Sequence, residues 1–118
     1  MSFKFEKLTV WQKAVDLSTR IHDVTRTFPK EELHILTSQM KRAADSVALN
    51  IAEGSTGQSN GEFKQFLGYA LRSAIELVGC LYLAKRRRLI DGERFQALYA
   101  ETEDIVKMVQ ALRKSLSS

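Results

Sequence analysis

Apolar residues recur along this chain at alternating steps of three and four, in four separate runs. Val10, Ala14, Leu17, Ile21, Val24 and Phe28 make the first, and Leu33, Leu36, Met40, Ala43, Val47 and Ile51 the second. Phe63, Leu67, Ala70, Ala74, Leu77, Leu81 and Ala84 make the third, and Phe95, Leu98, Thr102, Ile105, Val109, Leu112 and Leu116 the fourth. Such steps keep side chains on one face of an α-helix. The runs predict helices over about 9–28, 30–54, 60–88 and 92–117. Thr9 with Gln12, and Ser59 with Glu62, have the spacing of capping boxes, and Asp91 suits an N-cap. Pro29 interrupts the first run and suits the first turn of the next helix, while Gly54 is a natural C-terminal stop.

Four such helices with short connections predict one all-α domain over residues 1–118, an antiparallel up-down-up-down four-helix bundle. Composition agrees: 44% hydrophobic and 27% charged residues are globular proportions, and 6 glycines with 1 proline leave few turns for a β-sandwich. The lone Cys80 excludes a disulfide framework and a cysteine-based zinc site. The N-terminus lacks a signal-peptide pattern, and the uncharged run between Glu76 and Lys85 is too short for a membrane span. The expectation is a cytoplasmic protein without a membrane partner. A net charge of +4 permits an anionic partner without demanding one.

The third run carries a second apolar stripe, Leu71, Ile75, Val78 and Tyr82, with only Arg72 and Glu76 charged between Gln65 and Ala84. A bundle helix has one face inward and one in water. Two stripes are read either as one thick core stripe or, the favoured reading, as a subunit interface.

Several segments resemble the 23S rRNA intervening-sequence protein family, also described as S23 ribosomal-protein-like four-helix bundles. They are Leu8-Thr-Val-Trp-Gln-Lys-Ala14, Phe28-Pro-Lys-Glu-Glu32, Gln39-Met-Lys-Arg-Ala-Ala-Asp-Ser46, Asn50-Ile-Ala-Glu-Gly54 and Arg72-Ser-Ala-Ile-Glu-Leu77. A more distant similarity is to the accessory proteins of diversity-generating retroelements. The resemblance implies a four-helix bundle that assembles as a homopentamer, a suspected affinity for nucleic acid, and no enzymatic activity or cofactor. Family members often carry Arg in the loop after the Glu-Gly pair, where this chain has Gln58.

The matched polar positions Gln39, Arg42, Ser46, Asn50 and Glu53 line one face of the second helix. Beside a core they must be hydrogen-bonded, which predicts a register-fixing network with Arg72, Ser73 and Glu76 from the third helix. Pairing of Arg42 or Arg72 with Glu53 or Glu76 is expected there, and a ligand or RNA contact is the competing reading. Lys85-Arg86-Arg87-Arg88 is the densest charge run. Cations suit a helix C-terminus, yet four in a row exceed what a cap needs. Repeated around an oligomer, and extended by Lys41 and Arg42, they form a candidate nucleic-acid surface. The alternative function is an oligomeric scaffold that docks a protein partner without touching nucleic acid. A di-iron bundle needs two Glu-x-x-His pairs, and only Glu31 with His34 has that spacing. Glycine placement excludes a P-loop, and the two histidines support no catalytic triad. The expectation is a non-enzyme with no metal site.

Overall fold

The computed structural model describes residues 2–116. Its helices are α1 (Thr9–Thr25), α2 (Ser38–Ser55), α3 (Asn60–Arg86) and α4 (Gly92–Ser115). A 3₁₀ turn, Lys4–Lys7, precedes α1. A second, Lys30–Glu32, and a π turn, Leu33–Thr37, lead into α2. No strand occurs among the described residues. At about 1.5 Å rise per residue the 27 residues of α3 span most of the molecule's 44 Å length.

Cross-helix pairs fix the direction of each neighbour. Arg87 meets Glu32, Glu76 meets Gln39 and Ser73 meets Ser46, so α2 numbers rise as α3 numbers fall. Likewise Lys13 meets Asp104 and Arg20 meets Glu101 between α1 and α4. The result is an antiparallel four-helix bundle, as the periodicity predicts. All seven residues of the α3 stripe are buried, as are Val10, Ala14, Leu17 and Ile21 of α1 and Phe95, Leu98, Thr102, Ile105 and Val109 of α4.

Several expected boundaries shift, each for a local reason. The helix expected to reach 28 ends at Thr25, where Arg26, Thr27 and Phe28 bond back three residues instead of four. This tightened end turns the chain ahead of Pro29, and Phe28 still reaches the core. Thr9 is inside α1 rather than capping it, and Gln12 donates to the Glu6 carbonyl at 2.8 Å. The 3₁₀ and π turns before Ser38 do not wind at 3.6 residues per turn. Leu33 therefore leaves the expected stripe and is 49% exposed, while Thr37 is buried. Helix α4 stops at Ser115, and residue 117 of the expected range lies outside the described residues. Asp91 and Ser59 do cap their helices, accepting from Arg94 N at 2.8 Å and Glu62 N at 3.1 Å.

Two glycine expectations resolve differently. Gly54 is not a left-handed stop, because no glycine has positive φ and α2 runs on to Ser55. It is buried where α2 meets α3, and a Cβ there would lie 2.6 Å from Phe66 Cβ and 3.0 Å from Phe63 Cδ1. The left-handed C-terminal residue belongs instead to α3. Arg88 has φ of 62°, with Arg88 N bonded to Lys85 O at 3.0 Å and Leu89 N to Ala84 O at 2.9 Å. These are the two bonds of a Schellman ending, with arginine where glycine is usual.

Among the described residues, α3 is the one helix long and apolar enough to cross a membrane once Arg72 and Glu76 are tolerated, contrary to the shorter run read from the sequence. One face of that apolarity is accounted for by the bundle core. Close packing at Gly54 generates a prediction: Gly54→Ala forces α2 and α3 apart. It should lower unfolding free energy by about 1–3 kcal/mol in urea titrations.

Candidate functional site

Three surfaces converge on α3. The first is its outer face. Ile75 is 65% and Tyr82 54% exposed, and Leu83 beside them is also exposed. Leu71 and Val78 are half-buried, and Leu71 packs against the core. The second stripe is thus partly core edge and partly open. Gly79 lies within it, with no atom inside 4 Å of where a Cβ would stand. A helix-interior glycine costs roughly 0.5–1 kcal/mol relative to alanine, and nothing in the chain itself requires one there. Tyr82 meets the rings of Phe95 and Tyr99 edge-on, at 4.9 and 6.3 Å between centroids.

The second surface is the basic end of α3, and its four cations divide. Arg87 Nη1 lies 3.2 Å from Glu32 Oε1, tying α3 to the turn before α2. Lys85 Nζ sits 4.6 Å above the Phe95 ring, a cation–π contact that leaves its charge unneutralised. The side chains of Arg86 and Arg88 have no hydrogen-bond or ion-pair partner among the described residues. Tyr82, Leu83, Lys85, Arg86 and Arg88 line a groove of about 600 Å³ that no carboxylate enters. Lys41 and Arg42 do not extend it. Lys41 lines a separate groove with Lys30, and Arg42 faces the polar edge described next.

That edge is the third surface, between α2 and α3. Six of the expected polar positions gather there: Arg42, Ser46, Asn50, Glu53, Ser73 and Glu76 line an open groove of about 650 Å³, while Arg72 lines a separate groove with Gln65 and Tyr69. Ser73 Oγ donates to Ser46 Oγ at 2.8 Å, and Asn50 Nδ2 donates to Ser46 Oγ at 2.9 Å and Ser46 O at 2.8 Å. Gln39 Nε2 donates to Glu76 Oε2 at 3.3 Å. The expected arginine–glutamate pairs do not form: Arg42, Arg72 and Glu53 have no ion-pair partner among the described residues. All three side chains are exposed to solvent, so these charges need no internal partner. Sequence reading missed two residues here. Asp45 accepts from Ser18 Oγ and lies 3.0 Å from His22 Nε2, and Leu49 is 60% exposed in the groove. Their signal was the parallel row one step around the helix, Asp45 and Leu49 at a spacing of four.

Other groups are plainer. Burial pushes the Cys80 thiol above its usual range, and nearby Glu76 adds to the shift. Trp11 packs edge-on against Phe5 at 4.8 Å and against the core. The Arg20 guanidinium donates to both carboxylate oxygens of Glu101, which holds it above its already high range. Glu31 and His34 lie on the exposed entry to α2, and no group of three or more His, Cys, Asp or Glu among the described residues could hold a metal.

Fold and surfaces define a class: a small antiparallel helical bundle with an apolar outer face on one helix and a basic groove at that helix's end. Within it, the chain belongs to the 23S rRNA-intervening sequence protein family, whose model matches residues 6–111. A crystal structure of a protein of unknown function from the S23 ribosomal protein family of Bacteroides thetaiotaomicron is similar, with a TM-score of 0.84 and 25% identity. The match covers 91% of this chain and 100% of that one. No curated protein matches the chain.

The serine pair bridges α2 and α3, so Ser73→Ala should remove about 0.5–1.5 kcal/mol of stability. The check is a urea midpoint that falls while the slope of the transition stays unchanged.

Proposed function

We propose that this chain is a non-catalytic, cytoplasmic homo-oligomer that binds RNA or another nucleic acid through a basic surface. The pentameric number is the one the family resemblance implies. The observation that carries the binding reading is the groove at the end of α3, with unpaired Arg86 and Arg88 and unneutralised Lys85. Arginine grips phosphate with two donors, and a groove without carboxylates does not repel it. The outer face of α3 supports assembly. Ile75 is exposed beside Gly79, a glycine that lets a second backbone approach closely, while Tyr82 and Leu83 stand at the groove end of the same face. Leu71 and Val78 extend the same stripe toward the core. The network of Gln39, Ser46, Asn50, Ser73 and Glu76 is read as a device that fixes the register of α2 on α3.

One observation favours a second reading. Leu49 stands exposed among unpaired Arg42 and Glu53, a mixed surface suited to a protein partner. In that reading the chain is a docking scaffold.

Fluorescence anisotropy with a structured RNA, at about 50 and 200 mM salt, separates the two. Six to ten phosphate contacts shared around an assembly predict a loss of roughly 10³–10⁵ in affinity across that range. Absence of binding at the lower salt leaves the scaffold.

A further inference from the structure

Resting on the nucleic-acid reading, we infer that the groove at the end of α3 is a site for an unpaired stretch of nucleic acid, with phosphates on Arg86 and Arg88 and a base against Tyr82. Three observations meet at this one place. Of the four consecutive cations, two are committed within the chain, Arg87 to Glu32 at 3.2 Å and Lys85 to the Phe95 ring. The two left over both line the groove. The division is geometric: Arg86 and Arg88 flank the residue whose side chain ties α3 to the turn before α2.

The second observation is the backbone of Arg88. Its φ of 62° is the left-handed conformation that favours glycine and penalises a side chain. The Schellman bonds hold it there, so the chain carries an arginine where the fold would be better served by glycine. The side chain has no hydrogen-bond or ion-pair partner among the described residues to offset the strain, which points to a ligand.

The third is Tyr82. An exposed aromatic ring beside free arginines offers a base the flat surface that phosphate contacts alone do not use. Its edge contacts with Phe95 and Tyr99 fix the ring in place. A duplex hides its base faces in the stack and offers such a site only phosphates, whereas an unpaired segment offers both. Tyr82 also ends the apolar stripe, so Ile75 and Val78, further down α3, are left to the subunit contact.

The test is anisotropy of the full-length chain with two probes at about 50 mM salt, a single-stranded RNA of about twelve nucleotides and a blunt RNA duplex of equal length. The single strand should bind roughly tenfold tighter. Tyr82→Ala should remove that margin and Tyr82→Phe keep it. Arg88→Gly should weaken binding while raising the melting temperature, because it removes a contact and a strain together. Arg87→Ala should do the reverse, lowering the melting temperature and leaving affinity within about twofold, since its partner is Glu32. Removing both Arg86 and Arg88 should lower the slope of log affinity against log salt by about 1.4 for each site engaged by a single strand. Native mass measured on every variant keeps loss of assembly apart from loss of a contact, and Arg86→Ala tests the phosphate contact outside the apolar stripe.

Equal affinity for both probes, with Tyr82→Ala silent, overturns the inference and leaves the broader nucleic-acid reading standing. Arg88→Gly that stabilises the fold without weakening binding overturns the role of the strained arginine. No binding of either probe overturns both.

Discussion

A helix of 27 residues with apolar side chains on two faces carries more apolar surface than its neighbours α2 and α4 cover. That constraint on α3 organises the molecule. Its inner stripe, from Phe63 to Ala84, is buried and sets the core against which the other helices are positioned. Its outer face keeps Ile75, Tyr82 and Leu83 in water. The gap between what α3 offers and what the bundle covers is the physical reason to look beyond one chain. Exposed Gly79, which the chain itself leaves unexplained, lies on the same face.

The ends and edges of α3 are then specialised. On the α2 side, Gly54 brings the helices so close that a methyl group would collide with Phe66, and Ser46 with Ser73 fixes their register. Tight apolar contact at one end and a polar, solvent-open groove further along let one seam be both strong and specific. On the α4 side, Tyr82 and Lys85 lean on Phe95, so the aromatic cluster supports the basic end. The two charged ties between α1 and α4 are exposed, and such pairs contribute about 0–1 kcal/mol each. They steer the pairing of those helices more than they hold it.

Much of this was legible before any coordinates, and the reasons differ by feature. The core stripes were legible because burial repeats along a helix and each run spans five or more steps of the same period. Leu33 escaped because 3₁₀ and π winding leaves no mark in an apolar pattern. Gly54 was assigned the wrong task because a glycine that ends a helix and a glycine that admits a neighbour look the same in one dimension. The polar row on α2 was visible as a row, but whether it would be buried and paired or open and solvated depended on how far α2 and α3 diverge. The basic run was visible as a run; its division into anchored and free arginines needed Glu32 and Phe95, distant in sequence.

In the proposed assembly, further copies of the chain cover the outer face of α3 around Ile75 and Gly79, with Tyr82 left open at its end. Sedimentation equilibrium or light scattering at micromolar concentration tests it most directly. The account predicts a mass several times that of one chain, falling toward a single chain when Ile75 is replaced by a charged residue. A wild-type mass equal to one chain would contradict it.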